Sequence, residues 1–321
     1  MTPPAARSAA VALSAGATVL VVGVTPAMAV PFNPKPGSPV RIERINGGNA
    51  MTVAQAHSTV GLRAVFDIPA DGATTAEVRI ARDGKITHRR TVPLVIKDGK
   101  ATIKSGIKTE KVGIYRVGVR VSGRLVGDVV EFDAIPRSLN SRSGKRSISL
   151  AQAVLSRRAY VVGAQGQFDG RTGRALVAVR KRLGLSRTPT WDSTLAKRLA
   201  RGEGDYPVRF KDHGRHVEAD LSMQILALIG EGGKVERIYP TSSGAPATPT
   251  VLGSYSVYRK DYGTNAKGMV HSSYFIRGYA IHGYKEVPTY NASHGCLRVP
   301  VPDALSIFNW VRYGTKVDVY R

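Results

Sequence analysis

Cysteine is almost absent from this chain, since Cys296 is the only one among 321 residues. One cysteine cannot form an internal disulfide, so the fold must depend on packing instead of a disulfide framework. Cysteine-rich zinc sites are excluded too, and the histidines are scattered with no ligand spacing, so no metal site is expected. Neither a Gly-x-Ser-x-Gly elbow nor a Gly-Lys-Ser/Thr phosphate loop occurs, which argues against a serine hydrolase and a nucleotide-binding protein.

Acidic residues are also scarce, with 23 Asp and Glu against 47 Lys and Arg and a net charge of +24. A basic chain of this kind is suited to an anionic partner, and a basic surface that is merely solvated is the alternative. Near the N terminus, "AVALSAGATVLVVGV" is followed by Ala27-Met28-Ala29, which predicts a signal peptide over residues 1–29, cleaved after Ala29. An uncleaved anchor is the alternative. We therefore expect a secreted, cell wall-associated protein that meets anionic wall polymers and no nucleic acid.

The first half of the remaining chain reads as a linker followed by a β domain. Residues 30–60 are rich in Pro, Gly and Asn and predict a linker. Residues 61–136 alternate apolar and polar side chains, and the Asp-Gly pairs at 82–85 and 97–100 predict hairpin turns. This pattern is typical of an immunoglobulin-like β-sandwich. We find no chemistry in it and interpret it as a spacer domain.

Residues 142–203, called the helical segment below, change to helical periodicity and carry 14 basic and three acidic residues. Their sequence "GAQGQFDGRTGRALVAVRKRLGL" resembles the peptidoglycan-binding helical module of wall hydrolases and transpeptidases. It departs from that family at Val179-Arg180-Lys181, where an aromatic residue and Gln are usual. The resemblance implies a small three-helix peptidoglycan-binding-like domain. A three-helix packing domain without a ligand is the alternative.

Residues 215–321 are β-rich and hold the candidate chemistry. The Cys296 thiol would need a base to act as a nucleophile. His282 ends the apolar strand "YAIHG" and is the better candidate base, with the Gly283 carbonyl orienting its ring. His294, two residues before the thiol, is as well explained by shaping the loop as by catalysis. Backbone N–H groups around Gly295 are candidates for holding an oxyanion.

The pattern "IHG…SHGCLRV" resembles the signature of the L,D-transpeptidase catalytic domain family. Two upstream stretches, "VEADLSMQILALI" and "TSSGAPATPTVLGSYSV", resemble further motifs of that family, so that the resemblance extends over residues 215–321. The expected fold class is therefore multidomain and mainly β. It consists of an immunoglobulin-like β-sandwich, a small three-helix peptidoglycan-binding-like module and a β-rich L,D-transpeptidase catalytic domain.

The resemblance implies that Cys296 attacks a stem tetrapeptide, releases D-Ala, forms a thioester and makes a 3→3 peptidoglycan cross-link. His282 would move the protons, and the N–H groups of Gly295 and Cys296 would hold the oxyanion. Peptidoglycan stem peptides and glycan are the implied partners, carbapenem β-lactams the implied covalent inhibitors, and no metal or organic cofactor is needed. The implied substrate-binding residues are Tyr274, Gly278, Ser293 and Arg298.

Two alternatives remain open from the sequence. An L,D-carboxypeptidase would use the same site with water as the acceptor in place of an amine. A non-catalytic wall-binding protein would keep the fold as an adhesive surface, although the complete set of His282, Ser293, His294, Gly295 and Cys296 argues against it.

Overall fold

The computed structural model describes residues 39–43 and 52–321. The predicted signal peptide lies outside the described residues. Within the described part of the chain, no helix is both long and apolar enough to cross a membrane.

The N-terminal part forms two β-sheets around one apolar core. Its strands are β1 (Val40–Glu43), β2 (Val53–Gln55), β3 (Ser58–Asp67), β4 (Thr75–Arg82), β5 (Lys85–Pro93), β6 (Val95–Lys97), β7 (Lys100–Thr109), β8 (Gly113–Val121) and β9 (Arg124–Ile135). One sheet has the order β1-β3-β7-β6 and the other β2-β9-β8-β4-β5. Alternating side chains of both sheets face the shared core. The two Asp-Gly turns close the hairpins β4–β5 and β6–β7, as predicted, with Asp83 and Asp98 at positive φ.

The prediction of an irregular linker over residues 30–60 is wrong for the described residues in that range. β1, β2 and the first residues of β3 lie there, and β1 pairs antiparallel with β3. Val40 and Ile42 are fully buried, which contributes to holding this short strand in the sheet. Two alternating apolar residues are too short a pattern to outweigh the surrounding Pro and Gly in a sequence-based prediction.

Three helices follow, α1 (Lys145–Ser156), α2 (Gly170–Arg182) and α3 (Ser193–Ala200). Asp169 caps α2 by accepting a hydrogen bond from the Thr172 N–H at 2.8 Å, and Asp192 caps α3 through the Leu195 N–H at 2.8 Å. Asp169 also accepts from the Ala164 N–H, and a Cβ on Gly163 would lie 1.9 Å from its carboxylate. The "FDGRT" motif therefore builds the turn into α2.

The C-terminal part contains two further sheets and one helix. Its elements are β10 (His216–Asp220), β11 (Ile225–Ile229), β12 (Val235–Pro240), β13 (Gly253–Ser256), β14 (Arg259–Thr264), β15 (Val270–Ile276), β16 (Tyr279–Tyr284), β17 (Leu297–Pro300), α4 (Val301–Trp310) and β18 (Lys316–Tyr320). The sheets have the orders β12-β11-β10-β18-β13 and β14-β15-β16-β17. Helix α4 packs on β15, β16 and β17.

The helical segment shares a core with the C-terminal part. Four buried residues of β11 and β12 belong to the same apolar cluster as Val154 of α1 and Leu176 of α2; they are Ile225, Ala227, Ile229 and Ile238. The main chain of β12 also forms a parallel bridge with Tyr160. The helices therefore cover one face of the C-terminal sheet, which a sequence-based division into separate domains does not reveal.

Candidate active site

His282 lies on β16, and only 3% of the residue's surface is exposed. Its Nδ1 is 2.9 Å from the carbonyl oxygen of Gly283. A carbonyl can only accept, so Nδ1 carries the hydrogen and Nε2 of the neutral ring keeps a lone pair. This is the contact expected from the sequence, and it leaves Nε2 able to accept a proton.

Burial and the charge of Arg298 lower the pKa of His282 to about 4, although the hydrogen bond to Gly283 acts in the opposite direction. The imidazole is therefore neutral at pH 7. Gly283 also has a packing role, because a Cβ there would lie 2.7 Å from Cβ of Ala304 in α4. Helix α4 can approach β16 this closely only where a side chain is missing.

Cys296 immediately precedes β17, which pairs parallel with β16 so that Ile281 lies opposite Leu297 and His282 opposite Arg298. Extending this register places Cys296 opposite Ala280. Alternation along the strands then puts the Cys296 and His282 side chains on one face of the sheet. Spacings of about 4.8 Å between strands and 3.3 Å along them separate their Cα atoms by roughly 8 Å.

The thiol of Cys296 is partly buried and packs against Met269, Tyr274 and Ala280. Its Sγ lies 3.7 Å from the carbonyl oxygen of Gly278, which is the hydrogen-bond partner of the thiol in this structure. Burial raises the pKa of Cys296, while the Ala280 backbone and the charges of Arg298 and Lys267 partly offset that increase. The resting pair is thus a neutral thiol and a neutral imidazole.

Residues 293–296 form a bend, called the cysteine bend below. Ser293 Oγ accepts a hydrogen bond from the Gly295 N–H at 3.1 Å and donates one to the Cys296 carbonyl at 2.6 Å. The Gly295 N–H is therefore occupied, and the prediction that it holds an oxyanion does not fit this geometry. Gly295 has a φ of 110°, and a Cβ there would lie 1.7 Å from the Tyr279 ring. Only glycine fits both requirements.

Residues 241–244, "TSSG", called the seryl segment below, hold the cysteine bend from one side. The Ser243 carbonyl accepts the Ser293 N–H at 2.9 Å, and Ser242 exchanges two backbone hydrogen bonds with Arg298. Gln224 in turn binds Ser243, with Oε1 accepting its N–H at 2.8 Å and Nε2 donating to its Oγ at 2.6 Å. We did not predict roles for Gln224 and Ser243. Their signal was present in the stretches "LSMQ" and "TSSG".

The remaining predicted residues differ in their relation to the thiol. Tyr274 is in the same apolar cluster as Cys296, and Ser293 forms the cysteine bend. Gly278 contributes its carbonyl, and Arg298 stacks its guanidinium 4.2 Å from the centre of the Tyr284 ring. The His294 side chain is exposed, and no hydrogen bond of its ring is found among the described residues. The role of His294 stays a prediction.

In residues 39–43 and 52–321, no cluster of three or more His, Cys, Asp or Glu side chains is placed to hold a metal ion. The groups gathered at the site are a thiol, an imidazole, a guanidinium and backbone amides. That set is suited to nucleophilic acyl transfer.

Comparison with known proteins identifies the C-terminal part. Residues 214–319 match the model of the YkuD family, the L,D-transpeptidase catalytic domain. The solved structure of an L,D-transpeptidase from Xylanimonas cellulosilytica is 29% identical, covers 58% of this chain and 98% of its own, and gives a TM-score of 0.51. The prediction of a catalytic domain of this type is confirmed within the matched range.

Two further solved structures are more distant. An L,D-transpeptidase variant from Enterococcus faecium is 26% identical over 33% of this chain and 50% of its own, with a TM-score of 0.30. An L,D-transpeptidase from Mycobacterium tuberculosis is 14% identical over 84% of this chain and 94% of its own, with a TM-score of 0.31. No curated protein matches the chain.

Proposed function

Because residues 214–319 form an L,D-transpeptidase catalytic domain, we propose that the protein cross-links peptidoglycan through a thioester on Cys296. The observation that carries the proposal is the His282 tautomer fixed by the Gly283 carbonyl, on the strand next to the one that begins at Cys296. It places a neutral base with a free Nε2 on the same face as the only thiol.

In the first half of the reaction, His282 Nε2 takes the thiol proton as Sγ attacks the carbonyl between the third stem residue and the terminal D-Ala. The Cys296 N–H is the backbone donor for the oxyanion, because the Gly295 N–H is bound to Ser293. The C–N bond then breaks, and D-Ala leaves with the proton returned by His282. The product is a thioester between the stem tripeptide and Cys296.

In the second half, the side-chain amine of a diamino acid on another stem attacks the thioester carbonyl. His282 accepts a proton from that amine and returns it to the sulfur, so the free thiol is restored and a 3→3 amide bond is formed. With water as the acceptor, the same steps would release a tripeptide acid. A preference for the amine is part of the proposal.

We further propose that the protein is exported and acts at the cell wall, on stem peptides carried by glycan. This location is supported by the signal-like N terminus and by the cross-linking chemistry. Carbapenems are proposed as covalent inhibitors, since their strained carbonyl is open to the same attack by Sγ. Fractionation of cells that produce the full chain tests the location.

The test of the chemistry uses purified protein with a stem tetrapeptide and mass spectrometry of enzyme and products. We expect an acyl-enzyme on Cys296, release of D-Ala and a cross-linked dimer. Cys296→Ala and Cys296→Ser should lose activity by on the order of 10³-fold or more, since a neutral hydroxyl is a much poorer nucleophile. A tripeptide acid as the sole product would indicate the carboxypeptidase. Turnover by Cys296→Ala would refute the proposal.

A further inference from the structure

Lys181, in the last turn of α2, is 96% buried within the interior that the helical segment shares with the C-terminal sheet. Burial and the nearby charge of Arg187 lower the pKa of Lys181 to about 7, and no carboxylate acts in the opposite direction. Lysine is almost never fully buried without a partner, because desolvating its charge is costly. The hydrogen bonds that Lys181 makes must therefore replace the hydration that its amine loses on burial.

The Lys181 ammonium contacts the C-terminal part through two main-chain carbonyls. Nζ donates to the carbonyl of Gln224 at 2.9 Å and to that of Thr241 at 3.0 Å, residues 43 and 60 positions away in the sequence. Gln224 immediately precedes β11, and Thr241 immediately follows β12. The Thr241 N–H also donates to the Gln224 carbonyl at 3.0 Å. Lys181 thus joins the adjoining ends of these two strands.

The two residues that supply these carbonyls connect by hydrogen bonds to the backbone near Cys296, Gln224 through Ser243 and Thr241 directly. The Gln224 side chain binds Ser243 through two hydrogen bonds, and the Ser243 carbonyl accepts the N–H of Ser293. Thr241 donates its hydroxyl to the Arg298 carbonyl at 2.8 Å, two residues after the thiol. Together the two residues are therefore connected to the backbone on both sides of Cys296, Gln224 before it and Thr241 after it.

From this geometry we propose that Lys181 is a positioning residue of the active site. It fixes the Gln224 and Thr241 carbonyls and, through the seryl segment, the place of the Cys296 sulfur. The expected effect of Lys181 on kcat rests on the proposed function. The position of the thiol can be measured without any substrate.

Both protonation states of Lys181 can make these contacts. An ammonium has three N–H donors and a neutral amine has two, so either form can serve two carbonyls. A second cation of the helical segment acts in parallel: Arg187 donates to the Thr289 carbonyl at 2.6 Å and to the Ser222 carbonyl at 3.1 Å. The helical segment therefore contacts the C-terminal part through the side chains of both Lys181 and Arg187.

The test compares Lys181→Met with Arg180→Met. Arg180 is the adjacent residue of α2 and is equally buried, but its hydrogen bonds end on Ser186, Thr190 and Asp192 inside the helical segment. Both changes remove a buried basic side chain, and only the first removes contacts with the C-terminal part. The measurements are Tm, kcat and KM on a stem tetrapeptide, and the pH profile of Cys296 alkylation by iodoacetamide.

We expect Lys181→Met to lower kcat by about tenfold or more with KM within twofold, since small displacements of reacting groups are costly. Its alkylation profile should also change. Arg180→Met should lower Tm but keep the wild-type kcat and alkylation profile at temperatures well below Tm. If Lys181→Met does not fold, Lys181→Gln replaces it and the same readouts decide.

Wild-type kcat and alkylation in the Lys181 variant would overturn the proposal, as would changes matched by Arg180→Met. Failure of the proposed function gives a different result. In that case the wild-type protein would not cross-link stem peptides, while the alkylation profiles of the two variants would still decide the role of Lys181.

Discussion

His282 and Cys296 are held in place by different kinds of contact. His282 sits inside a paired strand, and its ring is oriented by the carbonyl of the next residue, Gly283. Cys296 lies on a bend that depends on Ser293, on the seryl segment and, behind that, on the helical segment. The base is thus positioned mainly by local structure, and the nucleophile by contacts between residues distant in sequence. Changes far from the site should therefore disturb the thiol before they disturb the imidazole.

The largest effect should come from removing the helices. Residues 214–321 alone should fail to give a soluble, active protein, because Ile225, Ala227, Ile229 and Ile238 would lose the apolar cover of α1 and α2. Residues 134–321 are the matched control. They lack both N-terminal sheets but keep the helices, and should keep wild-type turnover within about threefold with a somewhat lower Tm. Solubility, circular dichroism and turnover of both truncations are the measurements.

If residues 214–321 alone were active, the position of Cys296 would not depend on the helical segment. Loss of folding in residues 134–321 would show instead that the N-terminal sheets are equally required. Val53 of β2 packs in the cluster shared with the helices and is absent from residues 134–321, so this control also measures the contribution of Val53.

The next effect concerns the cysteine bend itself. Gly295→Ala should reduce turnover by at least about 100-fold, because its positive φ and the Tyr279 ring both exclude a Cβ and the bend must move. Gly278→Ala is the control, since no atom lies within 4 Å of a Cβ built there. Steady-state turnover of a stem tetrapeptide distinguishes them. Equal losses in both variants would mean that the sulfur responds to its Gly278 contact and not to the shape of the bend.

A smaller effect is expected from the Ser293 hydroxyl. Ser293→Ala removes two hydrogen bonds that close the bend and should slow acylation by about tenfold, equivalent to ~1.4 kcal/mol. Ser293→Thr keeps the hydroxyl and should retain most of the activity. The rate of acyl-enzyme formation, followed by mass spectrometry, measures the effect. Faster acylation in Ser293→Ala would indicate that the freed Gly295 N–H serves the oxyanion after all.

The contacts that position His282 could be predicted from the sequence, whereas those that position Cys296 could be predicted only in part. The contact between the His282 ring and the carbonyl of the next residue, Gly283, was predicted correctly, although β16 continues to Tyr284 and does not end at this pair. The Gly295 N–H was predicted to hold an oxyanion, but in the structure it donates to the Ser293 hydroxyl. This hydrogen bond depends on the closed geometry of the bend.

The role of the basic residues in the helical segment also could not be predicted from the sequence. The helical segment reads as a strongly basic unit, which suggests a surface for anionic polymers. In the structure, eight of its 14 basic residues are at least half-buried, and several of them bind carbonyls or carboxylates of the protein; among these are Arg158, Arg171, Arg174, Arg180, Lys181 and Arg187. Charge counted along a sequence does not distinguish an interior donor from a surface cation.

The smallest expected effect concerns the pH profile of Cys296 alkylation. It distinguishes the influence of the charges of Arg298 and Lys267 from that of the base His282. Since the pKa of His282 is lowered to about 4, the ring is neutral at pH 7 and cannot stabilise a thiolate by charge. The charges of Arg298 and Lys267 both favour the thiolate of Cys296. Arg298→Gln should therefore move the alkylation profile to higher pH, making alkylation at pH 7.5 roughly two- to fivefold slower.

On the same argument, Lys267→Gln should shift the profile less than Arg298→Gln. His282→Ala should give no upward shift although it abolishes turnover. Arg142→Gln, at an exposed position of the helical segment, is the control and should match the wild-type profile. The rate of iodoacetamide alkylation is measured from pH 6 to 10 for the five proteins. An upward shift in His282→Ala without one in Arg298→Gln would mean that the resting pair is an imidazolium and a thiolate. His282 would then act on the sulfur by its charge as well as by proton transfer. The protonation states of His282 and Cys296 would be coupled before substrate binds.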